Sequence, residues 1–425
     1  MGRPPATGLV MDFHDSPEEA AFRADVRGWL DANARRLSST ETKSGSVAAL
    51  LNEGGEGSDD DLIPRAQAWQ RTLAQGGWTG LTWPKSYGGR DLTPAQLIVF
   101  NDELANYDVP GNIFGIGLGM IGPAIIAHGT EDQKQRYLQP MLRGDEIWCQ
   151  LWSEPNAGSD IAGLQTRAER TGDEWVINGQ KVWTSGAHYA HYGLIIARTD
   201  PDAPKHRGIT CFIVDMSDPS IEPRPLKQMT GGANFNEVFL TDVRVPDTNR
   251  VGDVNDGWRV ALTVLMNERM SVAGSFNVGA LVDPLIALTR RAQRTDTYVQ
   301  QSVADIYIRA KLLELTTYRA ITKLAKGSIP GPEGSIAKLV WSDLLTEVAN
   351  KGMEILGPPG ALVGDDAPDD GLWSGTHLLA PGVHLGGGTD EIMKNIIGER
   401  VLGLPKEPAT DKDVPFRELR VGTQR

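Results

Sequence analysis

The strongest constraint on the fold is the order in which hydrophobic spacing changes along the chain. From residue 17 to about 145 the apolar residues recur at helical spacing, as in EEAAFRADVRGWLDANARRL and PRAQAWQRTLAQGGW. Between roughly 146 and 250 the texture shifts to short β-rich runs: IWCQLW, EWVINGQKVW, YGLIIARTD, GITCFIVDM, IEPRPLKQM and NEVFLTDVRVP, divided by Gly, Pro, Asp and Asn. From Asp256 helical spacing returns and continues through GSIAKLVWSDLLTEVANKGMEILG to DEIMKNIIGERVLGLP. Strands that do not alternate with helices exclude a doubly wound α/β chain, and the long closing helices with short links predict a bundle.

Local signals refine this. Ser16 caps a helix with Pro17 next and Glu18 and Glu19 in its first turn, whereas residues 1–10 read as a loose extension. The polar, Gly/Ser-rich stretch 38–64 reads as a mobile surface connection, and the Asn178–Gly179 pair between two β-rich runs signals a hairpin. The length of 425 residues suits two or three structural units. With 42 Lys and Arg against 55 Asp and Glu, the formal charge of −13 argues against a nucleic-acid partner. Two cysteines, Cys149 and Cys211, make neither a disulfide framework nor a thiolate metal site, which suits a reducing compartment. No run of eighteen apolar residues and no secretory signal occurs, so the expected address is cytoplasmic, without a membrane span.

Most candidate chemistries fail on context. Gly117, Gly119 and Gly122 form G-x-G-x-x-G, but no β-rich run precedes them, so helix packing at small residues is the better reading. His188 and His191 lack carboxylates at ligand spacing, and Ser335 and Lys338 form S-x-x-K without the companion motifs of acyl-serine enzymes. Glu268 is different: at helical rotation it falls within about 60° of Ala261, Val264, Leu265 and Val272, on the stripe that faces the interior. A carboxylate there is either a general base, its pKa raised by desolvation, or half of a structural ion pair with Arg269. The stretch LWSEPNAGSD at 151–160, with KVWTSGA at 181–187, offers hydroxyls and tryptophans for a planar heterocycle, or else a packed β-barrel rim.

Four segments, GGWTGLTWPKSYGG at 76–89, WSEPNAGSD, NGQKVWTSGAH and GGTDEIMKNIIGERVLGLP, carry a further signal in this order. In them the chain resembles the acyl-CoA dehydrogenase family over residues 12 to about 405. The resemblance implies an α+β multidomain fold: an N-terminal helical domain (12–145), a middle β-barrel domain (146–250) and a C-terminal four-helix bundle (256–405), assembled as a homotetramer or dimer of dimers. It also implies FAD between β domain and bundle, an acyl-CoA substrate dehydrogenated to 2-enoyl-CoA, and electrons passed to electron-transferring flavoprotein.

Position by position, the resemblance places Gln150, Leu151, Trp152 and Ser153 along the flavin's pyrimidine side, Trp183 beside the ring and Ser185 near N5. Ser159 matches a serine on the path of the CoA pantetheine, Arg269 follows the base as a substrate-side arginine, and Gly388, Thr389 and Glu391 belong to the turn and helix start at the flavin side chain. Arg294, with Arg291 as a substitute, stands where the family keeps an arginine for the FAD pyrophosphate of a neighbouring subunit, although RTDTYVQQ departs from the usual turn. Glu354 and Gly357, in EILGPPG, match the loop near the adenosine half of that neighbour's FAD. Many members keep the catalytic glutamate just before the Gly-Thr of the last motif, where this chain has Gly387; others, the isovaleryl-CoA type among them, supply it from the first bundle helix, at Glu268. Gly387 keeps a backbone amide for the thioester carbonyl and frees volume for a branched or bulky acyl group. The alternative is a non-catalytic or half-site subunit of a heteromeric dehydrogenase.

Overall fold

The computed structural model describes residues 15–37, 59–274, 279–325, 331–332, 334–363, 366–408 and 411–420. The expected loose extension and residues 38–58 of the polar connection lie outside them.

Helix α1 (Pro17–Asn33) begins with the expected cap: the Glu19 amide donates to Ser16 Oγ at 3.2 Å and the Ser16 amide to Glu19 Oε2 at 2.8 Å. Helix α2 (Asp59–Gln75) starts inside the stretch read as a connection, so residues 59–64 are helical despite Pro64; burial of Ala66 and Leu73 further along the same helix supplies the packing that carries it. Helices α3 (Pro94–Leu104), α4 (Gly122–His128) and α5 (Glu131–Arg143) complete the helical unit. Two-residue strands β1 (Arg35–Arg36) and β2 (Tyr107–Asp108) pair antiparallel at its edge. Val26, Leu30, Trp78, Phe100 and Tyr107 form one of its cores. The glycine triplet is a packing device, as expected: Gly117–Ile121 is a π-helical turn leading into α4, and a β-carbon on Gly122 would run into the Trp83 ring.

The middle unit is one eight-stranded sheet of β3 (Trp148–Leu151), β4 (Arg167–Thr171), β5 (Glu174–Ser185), β6 (Tyr192–Arg198), β7 (Ile209–Asp215), β8 (Ile221–Leu226), β9 (Phe235–Pro246) and β10 (Arg250–Val251). Its order is β10-β7-β6-β4-β5-β9-β8, with β3 added parallel to β6. The sheet curls around Leu151, Trp175, Ile177, Ile195, Phe212 and Val238, contributed by five different strands. The Asn178–Gly179 hairpin does not form. Strand β5 runs straight through it, with a register shift against β9, and the turn lies at Gly172–Asp173 instead. Tertiary contacts override the local signal: Asn178 exchanges hydrogen bonds with Asp242, at 3.0 and 2.9 Å, and Gly179 passes too close to Thr166 for a β-carbon. Cys149 and Cys211 are buried free thiols, and burial pushes the Cys149 thiol up to about 12.

Helices α6 (Gly257–Gly274), α7 (Gly279–Arg291), α8 (Thr297–Ala325), α9 (Gly334–Leu356), α10 (Leu372–Val383) and α11 (Asp390–Ile396) form the C-terminal unit. Leu285, Val299, Leu345, Trp341 and Trp373 centre a core shared by α7 to α10. Helix α6 belongs elsewhere, because Val260, Ala261 and Val264 pack with Trp152, Ile125 and Leu194 in the core that joins all three units. Beyond α11, residues 411–420 fold back onto the β unit, where Arg198 lies over the Phe416 ring, 3.8 Å from its centroid. Among the described residues no helix is long and apolar enough to cross a membrane.

Gly122→Val drives its side chain into Trp83 and is expected to cost about 1–3 kcal/mol. Gly28→Ala on α1, with nothing within 4 Å, is expected to add about 0.5–1 kcal/mol. Thermal midpoints of the two variants, moving in opposite directions, check both.

Candidate active site

The motif segments at 151–160 and 181–187 are held together by an interaction that pattern reading did not find. Lys181, 0% exposed, donates to Glu154 Oε1 at 2.8 Å and to the Trp152 carbonyl at 3.1 Å. Glu154 also accepts from the amides of Gln165, at 2.6 Å, and Thr166, at 3.0 Å. Burial pushes the Glu154 carboxyl up, but Lys181 and these bonds outweigh it and hold it below the ordinary carboxylate range. The Val182 amide donates to the Ser153 carbonyl at 2.8 Å, which sets Ser153 beside Val182, the residue before Trp183. A Glu and a Lys in adjacent motifs were visible in the sequence; their pairing was not, because 27 positions separate them.

Trp183 stands apart from the other tryptophans. It is 61% exposed and its backbone has φ +60°, a left-handed value that costs a bulky residue of order 1–3 kcal/mol. The kink falls at the register shift between Lys181 and Thr184, and Phe235 meets the indole edge-on at 6.1 Å. Ser185, half-buried, ends β5 directly opposite Phe235 on β9. Gln150 and Leu151 lie on β3, Leu151 wholly buried, and Trp152 sits in the core that α6 shares. Ser159 is exposed on the loop after Glu154.

Glu268 is half-buried on α6, one turn beyond the fully buried Val264, so the interior-facing stripe holds. A β-carbon built on Gly387 would lie 3.8 Å from Glu268 Oε1. A helix carboxylate and the loop between α10 and α11 therefore meet at one point. The loop turns sharply there, with φ +65° at Gly387 and +95° at Gly388, and a β-carbon on Gly388 would strike Met393. Thr389 caps α11, its Oγ1 accepting from the Ile392 amide at 3.3 Å. Glu391 is exposed in the first turn, its carboxyl held below the usual range by its own backbone amide and by Thr389.

The more distant residues are dispersed. Val272, like the Arg269 side chain, lies outside the described side chains. Arg294 is bonded to Asp296 at 3.0 Å, and Arg291 grips both oxygens of Asp369 at 2.6 and 2.8 Å. Glu354 pairs with Lys351 at 2.5 Å and lines a groove of about 540 Å³ between α8 and α9, together with Tyr298, Asp305 and Arg309. Gly357, at φ +64°, turns the chain away from the end of α9. His188 and His191 act as ordinary polar residues: His188 Nδ1 bonds Asn236 Oδ1 at 3.1 Å, and His191 Nδ1 accepts the Ile147 amide at 3.1 Å. Ser335 and Lys338 are buried in α9 and no hydrogen bond links them, which agrees with rejecting acyl-serine chemistry.

Three family descriptions match the chain in succession: the acyl-CoA dehydrogenase N-terminal domain over residues 16–145, the middle domain over 149–243 and the C-terminal domain over 255–402. The chain is 38% identical to acyl-CoA dehydrogenase IpdE1 of Mycobacterium tuberculosis over 395 residues, 91% of this chain and 98% of that protein. A solved structure named the Tcur3481-Tcur3483 steroid ACAD superposes with a TM-score of 0.79 at 27% identity, over 93% of this chain and 100% of that one. The ChsE4-ChsE5 complex from Mycobacterium tuberculosis gives a TM-score of 0.74 at 30% identity, over 93% and 100% of the two chains. The chain belongs to the acyl-CoA dehydrogenase family. It is an oxidoreductase acting on acyl-CoA, built on the family's helical, β and helical units.

Lys181→Met leaves the Glu154 charge buried without its partner, an expected loss of about 3–5 kcal/mol. Adding Glu154→Gln removes that charge while keeping an acceptor for one of the two amides, so the double variant recovers part of the loss. Urea unfolding of the three proteins, followed by near-UV circular dichroism, measures both steps.

Proposed function

We propose that this enzyme is FAD-dependent and converts an acyl-CoA thioester to its 2-enoyl-CoA, with Glu268 as the base. The observation that carries the reading is the approach of the Glu268 carboxylate to Gly387, at 3.8 Å from the built β-carbon. One carboxylate fits in that space, from the loop or from the helix. With glycine on the loop, the helix supplies it.

The residues present suit a flat heteroaromatic group. A tryptophan held out at a left-handed backbone, flanked by the hydroxyls of Ser153 and Ser185, is a platform with polar edges. Bound there, FAD supplies the two-electron acceptor for the hydrogen that leaves the substrate's β-carbon. Trp183 would cover the ring, Ser153 and Ser185 would bond its heteroatoms, and Gln150, Leu151 and Trp152 would back it. Thr389 and Glu391 would flank the flavin side chain, and Ser159 and Arg269 would contact the CoA portion. Glu268 takes the α-proton, and the Gly387 amide donates to the thioester carbonyl, where negative charge develops as that proton leaves.

Electrons would pass on to electron-transferring flavoprotein. The acyl group is proposed to be branched or bulky, since Gly387 leaves space beside the base; the solved relative named a steroid dehydrogenase points the same way. Arg294, Glu354 and Gly357 would serve the FAD of a neighbouring subunit in a homotetramer or dimer of dimers. A second reading, a half-site subunit of a mixed assembly, draws on the acidic partners that already hold Arg294 and Arg291, and on the two-component complex among the relatives.

Glu268→Gln keeps the shape and removes the basicity. Anaerobic flavin bleaching by acyl-CoA is expected to slow about 10²- to 10⁴-fold while acyl-CoA still binds; near-normal bleaching would place the base elsewhere. Across an acyl-CoA panel given to the native enzyme, branched or polycyclic thioesters should bleach the flavin faster than straight short chains. A colourless protein that gains flavin only on mixing with a second subunit would favour the half-site reading.

A further inference from the structure

The loop that presents Gly387 is a poor candidate for a fixed donor. Gly386, Gly387 and Gly388 follow one another in it, and glycine has the widest backbone freedom of any residue. An amide that stabilises developing charge must nonetheless be held in place beforehand. The Gly387 amide donates to no described residue, so it is not spent on the loop itself.

The ends of the loop are fastened instead. The Asp390 amide donates to the His384 carbonyl at 3.1 Å, and His384 Nδ1 meets Asp390 Oδ2 at 2.5 Å. Lys338, reaching from α9, donates to Asp390 Oδ1 at 3.1 Å and to the His384 carbonyl at 3.4 Å. The far ring nitrogen of His384 contacts Thr346 Oγ1 of α9 at 2.8 Å. Burial pushes the Asp390 carboxyl up, but His384 and Lys338 outweigh it and keep it ionised, so Nδ1 carries the proton of the short bond. Residues 384 and 390 are thus tied to each other and, through Lys338 and Thr346, to α9, which also packs against α6, the helix of Glu268.

Asp343, His384 and Asp390 also bring ligand atoms within 4.8 Å of one another. A metal is the weaker reading: both ring nitrogens of His384 are engaged, and a cation would face the Lys338 ammonium already beside Asp390.

We propose that His384 is a positioning residue: with Asp390 and Lys338 it clasps the ends of the glycine loop and so fixes the Gly387 amide opposite Glu268. The inference rests on the reading of Gly387 as the thioester donor. Its test compares the full-length, flavin-loaded enzyme with His384→Leu and His384→Asn, since asparagine keeps an N–H near the place of Nδ1 and leucine has none. At saturating acyl-CoA, anaerobic flavin reduction by His384→Leu is expected to slow about 10- to 100-fold, with half-saturation changed less than about threefold. His384→Asn is expected to recover at least about a third of the native rate. Hydrogen exchange at 385–389, read by mass spectrometry, should quicken in the leucine variant and not in the asparagine one. Native reduction rates in His384→Leu, or a loss that asparagine does not restore, would overturn the clasp. A thermal shift on adding Zn²⁺ that Asp390→Asn abolishes would also overturn it, in favour of a metal. Should no acyl-CoA reduce the native enzyme, the functional reading fails by itself: faster exchange confined to 385–389 in His384→Leu would still support the clasp, and unchanged exchange would refute it.

Discussion

The ion pair between Lys181 and Glu154 is the constraint on which the proposed cofactor edge depends. It is buried, so neither charge can be left alone without a penalty of several kcal/mol. Glu154 meets it by gathering Lys181 and two backbone amides onto one carboxylate. The segment after β3 is thereby fixed to the middle of β5. Strand β5 then departs from regular pairing beyond Lys181, and the strained backbone of Trp183 is a local consequence of a tether formed elsewhere.

Helix α6 connects this edge to the bundle. Its first turns pack Val260, Ala261 and Val264 into the core around Trp152, and its continuation carries Glu268 to the glycine loop. The site is therefore assembled from three separate parts of the chain: the β3–β5 edge, one helix of the C-terminal unit, and the turn before α11. Each is anchored by packing or buried polar contacts outside the site.

Much of this was legible beforehand, for identifiable reasons. Helical and strand periods reflect which face is buried, so the three units and the interior stripe of α6 follow from spacing. The Ser16 cap is a local interaction and appears where pattern places it. Local composition misplaces the Asn178–Gly179 turn and the stretch 59–64, because both are decided by contacts elsewhere in the chain. At Asn178 the hydrogen bonds to Asp242 reach across to another strand, and the helix containing residues 59–64 is completed by apolar packing further along α2. The Lys181 pair and the His384–Asp390 clasp were missed because nothing in a linear sequence marks which polar residues will be buried against one another.

The amino-acid sequence by itself determined the order of the units, the apolar faces and the choice of glycine at 387, because each depends on residue type and local period. It also placed a carboxylate on the inner stripe of α6. Only the tertiary structure decided what that carboxylate faces. The meeting of Glu268 with Gly387 joins positions more than a hundred residues apart, and it depends on how α6, α9 and α11 pack, which is set by the summed contacts of the helices and of two cores and by no single motif.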